Sequence, residues 1–154
     1  MGNINESLKI IGLFKLNVFE YRDGLYILKD FFEDRNLVVN DGLEKLTFLL
    51  ANNGASNYVS QIGYGTDNTA VDPTDTGLTG IFKKAVEGTT SYPTSYSVQF
   101  DFDLDLAENN GVIIKEYGLF CVDDTLFARK VIGSVAKENN IYISGSWTIS
   151  FYAG

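Results

Sequence analysis

Tyr96-Ser97-Val98-Gln99-Phe100-Asp101-Phe102-Asp103-Leu104-Asp105-Leu106 decides the fold class. Tyr96, Val98, Phe100, Phe102, Leu104 and Leu106 fall on one parity, and Gln99, Asp101, Asp103 and Asp105 on the other. Side chains alternate between the faces of a strand, so this stretch is a two-faced β-strand with one side in a core. The downstream chain keeps the same character. Val112, Ile113 and Ile114 lead into Glu116-Tyr117-Gly118-Leu119-Phe120, and Asp123-Asp124 turns the chain into Leu126-Phe127-Ala128-Arg129. In the closing stretch Ile141, Ile143, Trp147, Ile149 and Phe151 share one parity. Short strands separated by turns at near-regular spacing predict a mainly β chain, an antiparallel β-sandwich or small barrel.

Upstream, Phe14, Leu16 and Val18 alternate with Lys15 and Asn17 as far as Asp23-Gly24. Asp-Gly between two apolar runs is a hairpin signal. Leu25, Ile27 and Leu28 begin the return strand, and Phe31-Phe32 continue it less regularly. Leu43, Leu46, Leu49 and Leu50 recur at helical spacing, predicting one short helix over about 41–51, with Asn40 or Asp41 as its N-cap and its leucines in the core. The expected division is an N-terminal arm or hairpin over 1–35, packed on the sandwich or on a neighbouring subunit, and a sandwich domain over 36–154.

Between helix and alternating strand lies residues 63–80, almost wholly Gly, Thr, Asp, Asn, Ala and Pro. These residues tolerate positive φ and hydrogen-bond their own backbone, so a long ordered loop is expected. Gly63-Tyr64-Gly65 is no phosphate cradle: a P-loop needs a Lys before Ser or Thr, and the first Lys of this region is Lys83. Asp67, Asp72 and Asp75 would repel a phosphate. Calcium suits them better, but their spacing matches no EF-hand loop, and solvated turn carboxylates are the reading adopted.

The composition narrows the function. The 154 residues carry 20 acidic and 12 basic side chains, a net charge of -8, against the basic face that nucleic acids and anionic membranes require. The chain has no histidine, which removes the usual general base and the usual zinc ligand. One cysteine, Cys121, forms no internal disulfide, and no apolar run approaches the ~18 residues of a membrane span. No leader pattern opens the chain, so synthesis in a cytoplasm is the expectation. Carboxylate chemistry by Asp101, Asp103 or Glu116 ranks last, because a row of like charges is more simply a solvated strand face. Glu116 and Arg129 sit in adjacent strands around the Asp123-Asp124 turn and are expected to form a structural ion pair.

The order of the pieces is informative. Gly42-Leu43, Ile62-Gly63-Tyr64-Gly65-Thr66, Pro73 with Asp75-Thr76 and Leu78, the alternating strand, Glu116-Tyr117-Gly118-Leu119-Phe120, Leu126-Phe127-Ala128-Arg129 and Trp147-Thr148-Ile149 follow one another. Together they resemble small virion structural proteins of tailed bacteriophages, of the tail-collar or fibre-attachment type, over about residues 37–152. The resemblance implies an immunoglobulin-like β-sandwich without catalytic residues or cofactor. It implies a homo-oligomer, often a ring, in the tail or head–tail collar of a virion, whose partners are tail, collar, fibre or connector proteins. Residues 63–80 and an arm over residues 1–19 would then reach neighbours, with Tyr58, Tyr64, Thr66, Asp75, Leu78, Phe82 and Tyr92 as interface candidates. Removing the loop between Tyr64 and Leu78 is expected to leave a folded protein that no longer assembles. A receptor- or carbohydrate-binding module of a tail fibre and a capsid decoration protein are the alternatives.

Overall fold

A computed structural model describes residues 7–153. Strands β1 (Leu8–Arg22) and β2 (Leu25–Val38) form a long hairpin, followed by helix α1 (Asn40–Leu50). Strands β3 (Val59–Gly65), β4 (Phe82–Ala85), β5 (Glu87–Ser91) and β6 (Ser97–Leu104) come next. Strands β7 (Val112–Cys121), β8 (Leu126–Lys137) and β9 (Ile141–Ala153) close the chain. The β1–β2 turn has Asp23 at φ 52° and Gly24 at φ 81°, the two positive values that a tight two-residue hairpin demands.

The nine strands form one antiparallel sheet in the order β4-β3-β7-β8-β2-β1-β9-β6-β5. The joint between β2 and β8 is short, pairing only through Leu37↔Arg129 and Val38↔Ala128. There the sheet curls, and the two parts face each other around a common core in a sandwich-like, mainly β fold. Phe14, Phe102 and Trp147 from one part meet Tyr64 and Tyr117 from the other. The Phe14 ring lies 4.9 Å from that of Tyr117, and Tyr64 stands edge-on to Phe102 at 6.4 Å. Ring pairs of this kind add about 0.5–1.5 kcal/mol each beyond the area they bury. The alternation in β6 is the cause: Phe100, Phe102 and Leu104 are buried.

The expected N-terminal hairpin is present and is built into the sheet. Strand β1 runs in the middle of the sheet between β2 and β9, with Phe14, Leu16 and Val18 in the core. The alternation of β1 is a core-facing pattern, so the described part of residues 1–35 packs within the sandwich. Residues 1–6 of the expected arm lie outside the described residues.

The helix is where expected, but its rotation is not. Asn40 is its first residue, Val39 is the N-cap, and no side chain caps it. Leu43, Leu49 and Leu50 are exposed, Leu50 by 92%, and the buried positions are Gly42 and Lys45. The cause is steric. A Cβ on Gly42 would stand 2.2 Å from the Phe127 carbonyl oxygen, so only glycine allows the helix to lie this close to β8. That contact turns the leucine stripe partly outward. Lys45 is satisfied in return, its Nζ donating to Asn57 Oδ1 at 2.9 Å and to the Asp123 carboxylate.

Replacing Gly42 with Ala should therefore lower stability by about 1–3 kcal/mol through overpacking. Urea denaturation measures it, and an unchanged midpoint would contradict the close seating of α1 on β8.

Candidate partner-binding site

Residues 66–81 connect β3 to β4 and are held by a buried ion pair. Glu116 on β7 and Arg129 on β8 are only 1% and 3% exposed. Arg129 Nε donates to Glu116 Oε2 at 2.9 Å, and the other Glu116 oxygen accepts the backbone N–H groups of Thr79 at 2.7 Å and Asp67 at 3.2 Å. The rest of the guanidinium faces the loop. Nη1 donates to Asp75 Oδ2 at 2.8 Å and Nη2 to the Thr69 carbonyl at 3.2 Å, with Asp67 Oδ2 at 3.6 Å. Burial pulls the Arg129 pKa down, but Asp75 and Glu116 more than offset it and leave it raised. Gly65 makes room for the carboxylate, since a Cβ there would sit 2.4 Å from Glu116 Oε1.

The loop also ties itself to the sandwich elsewhere. The Pro73 carbonyl accepts the Asn40 N–H at 2.8 Å, at the start of α1. Thr66 donates its N–H to the Thr79 carbonyl at 3.0 Å, and Leu78 packs on Val39, Phe120 and Leu126. Asp67 is held below the ordinary carboxylate range by the Thr69 N–H and hydroxyl, and Asp72 by the Thr74 hydroxyl and N–H. These residues make a scaffold. Removing the loop would leave the Glu116–Arg129 pair without the outer hydrogen bonds that Asp67, Thr69, Asp75 and Thr79 supply.

The proposed interface residues divide into two groups. Tyr64 is fully buried, and its hydroxyl donates to the Asp103 carbonyl at 2.6 Å; it is a core residue, not a contact anchor. Phe82 is half-buried against Tyr64, with ring centroids 6.5 Å apart. Thr66, Asp75 and Leu78 are engaged inside the loop as described. Tyr58 and Tyr92, by contrast, are exposed, Tyr92 by 75%, and the fold brings them to one place.

That place is an apolar groove of about 330 Å³ at one mouth of the sandwich. Leu46 and Leu49 of α1 form one wall, Tyr58 and Tyr92 the rim, and Phe127 and Phe151 the floor. The helix contributes because Leu49 is exposed beside Leu46, which packs on the edge of the core. Leu49 is exposed where the sequence placed it in the core, since an apolar stripe at helical spacing is more commonly core, whereas Leu46 and Phe151 do pack on the core.

A second apolar surface lies on β2. Leu25, Tyr26, Ile27, Leu28 and Phe31 are all exposed. Nearby, the rings of Phe19, Tyr26 and Tyr142 line a shallow hollow of about 300 Å³. Here both parities of the strand are apolar.

The groups able to carry chemistry are occupied structurally. Asp103 and Glu108 share Lys84, whose Nζ stands 2.9 Å from Glu108 Oε2, while Asp101 accepts from Gln99. Lys137 is buried, donating to Asn110 Oδ1 at 2.8 Å and the Glu138 carbonyl at 3.1 Å, and burial lowers its pKa. Burial, with a smaller contribution from Asp123, pushes the Cys121 thiol up to about 11. Among the described residues no group of three or more Cys, Asp or Glu side chains is placed to hold a metal ion. No helix is long and apolar enough to cross a membrane.

Comparison of the chain with known protein families, with curated proteins and with solved structures gives no match.

Two outcomes test the scaffold. Replacing Arg129 with Met leaves Glu116 buried without its cation and should cost about 3–5 kcal/mol. The same variant should speed hydrogen exchange at the Asp67 and Thr79 amides, and unchanged exchange there would refute the role given to the pair. In the wild type, folded pKa values below the ordinary 3.8 mean that the Asp67 and Asp72 contributions are complete above that pH and disappear as pH falls through the folded values. The Thr69 and Thr74 amide resonances should thus titrate below pH 3.8 and stay constant around neutrality.

Proposed function

We propose that this chain is a non-enzymatic virion structural protein of a tailed bacteriophage. It sits in the tail or head–tail collar and links fibres or neighbouring ring proteins. The observation that carries this reading is the pair of exposed apolar surfaces on a rigid sandwich: the α1 groove and the β2 face. Monomeric soluble proteins rarely leave contiguous apolar patches of several hundred Å² uncovered, and such patches mark interaction sites. The ordered motif set adds support, because Gly65, Glu116 and Arg129, which belong to it, are the residues that anchor the loop. The motifs thereby act as determinants of a scaffold, as expected of a structural protein.

The aromatic hollow of Phe19, Tyr26 and Tyr142 favours a second reading, a carbohydrate-binding module of a tail fibre, since sugar rings stack on exposed aromatic faces. A glycan array separates the two readings. On the structural reading no glycan binds, and binding that disappears in Tyr26→Ala would favour the module.

The direct test is protein mass spectrometry of particles purified from a strain that carries the gene. The chain should appear at a fixed multiple of copies per particle and remain through a density gradient. Its absence from the particles would overturn the proposal.

A further inference from the structure

Three parts of the chain bring a lysine, an asparagine and an aspartate together. Lys45 comes from α1, Asn57 from the approach to β3, and Asp123 from the turn between β7 and β8. Lys45 and Asn57 are both buried, at 9% and 8% exposure. Lys45 Nζ donates to Asn57 Oδ1 at 2.9 Å and also to the Asp123 carboxylate. The Asn57 carboxamide is held in the matching orientation: its Nδ2 donates to the Asn53 carbonyl, so the C=O end faces the lysine. The Phe48 ring centre stands 5.8 Å from the same Nζ.

We propose that Lys45 and Asn57 join in an intramolecular amide (isopeptide) bond, with Asp123 as the proton carrier. A neutral lysine amine is a nucleophile, a carboxamide carbon is its electrophile, and the carboxylate is within hydrogen-bond reach of the proton to be moved. Asp123 takes a proton from the Lys45 ammonium, and the freed electron pair on Nζ attacks Asn57 Cγ. Asp123 delivers that proton to Nδ2, the Cγ–Nδ2 bond breaks, and ammonia departs as the C=O bond re-forms. The second proton shed by Nζ passes to Asp123 and leaves with the ammonia as ammonium. An ammonium and a carboxamide thus become an amide and ammonium, with no oxidant, cofactor or second substrate.

Asp123 suits the first step, because its hydrogen bond from Lys45 holds its carboxyl below the usual carboxylate range and therefore ionised at neutral pH. Proximity supplies the rest. Well-oriented intramolecular reactions reach effective concentrations of about 10⁵–10⁸ M, enough for a step that need occur only once per molecule. Lys137 provides an internal comparison. It is buried, and its Nζ lies 2.8 Å from Asn110 Oδ1. Its other acceptors are the Leu106 and Glu138 carbonyls, and among the described residues no carboxylate accepts from it; Glu108 is engaged by Lys84. Without a proton carrier at the amine this second pair should stay open, so the chain should lose one ammonia and not two. The bond ties α1 to the start of β3 beside Tyr58, a covalent latch on the helix that does not depend on the virion reading.

Intact mass spectrometry of the denatured full chain tests the proposal, on fresh protein and after prolonged incubation at neutral pH. Wild type should be lighter than its sequence by one ammonia. Its tryptic digest should contain a branched peptide joining Lys45 to Asn57, uncut after Lys45. Lys45→Met should keep its full mass; Lys45→Arg replaces it if circular dichroism shows that the Met variant is unfolded. Asp123→Asn should also keep its full mass, since it retains the side chain's size and its acceptor for the Thr125 N–H but not its basicity. Wild type at full mass in both samples overturns the proposal. An ammonia loss that survives in the Lys45 variant also overturns it, because the loss then arises at another asparagine. An undiminished loss in Asp123→Asn overturns the role given to the carboxylate.

Discussion

Burying a carboxylate beside a guanidinium costs several kcal/mol per ion unless every remaining hydrogen bond is made, and Glu116 and Arg129 recruit a whole loop to make them. The pair fills only part of the bonding capacity of either group. Asp67, Thr69, Asp75 and Thr79 supply the rest, so residues 66–81 take one course over the sandwich. That course brings Pro73 to the first turn of α1 and Leu78 onto Val39 and Phe120. The position of α1 is then fixed from two sides, by the loop at its start and by the Gly42 contact with Phe127 along its face. One charge pair thus sets a loop, and the loop helps to set a helix.

The helix in turn shapes the groove. Because Gly42 faces β8, Leu49 stands exposed at the mouth of the sandwich beside Leu46, which packs on the edge of the core. The aromatic core around Phe14, Tyr117 and Trp147 holds the two parts of the sheet together, and apolar surfaces remain exposed outside it. Trp147 of β9 also donates its indole N–H to Asn36 at 2.7 Å, so β9 and the end of β2 are joined across β1.

The sandwich was legible in the sequence because a period of two is a local property: Phe100, Phe102 and Leu104 show it without reference to any other strand. The hairpin at Asp23-Gly24 was legible for the same reason, since a two-residue turn needs positive φ at both positions. The Glu116–Arg129 contact could be expected from the turn at Asp123-Asp124, but its loop partners could not, because they lie 37 to 60 positions away along the chain. The rotation of α1 was hidden too. A leucine stripe records that a helix has an apolar face, but the choice between core and groove rests on one backbone contact at Gly42. For β2, the apolar residues on both parities were visible, and their meaning depended on the strand being an edge, which is a property of the sheet order.

On the proposed reading, partners are held by the β2 face and the α1 groove, with the loop as internal scaffold. Hydrogen exchange read by mass spectrometry on the free and assembled protein tests it most directly. Assembly should add protection in the peptides covering Leu25 to Phe31, Leu46 to Leu50 and Tyr92. Peptides across residues 66–81 should be protected already in the free chain and unchanged on assembly. New protection confined to that loop, with the β2 and α1 peptides unaltered, would contradict the account.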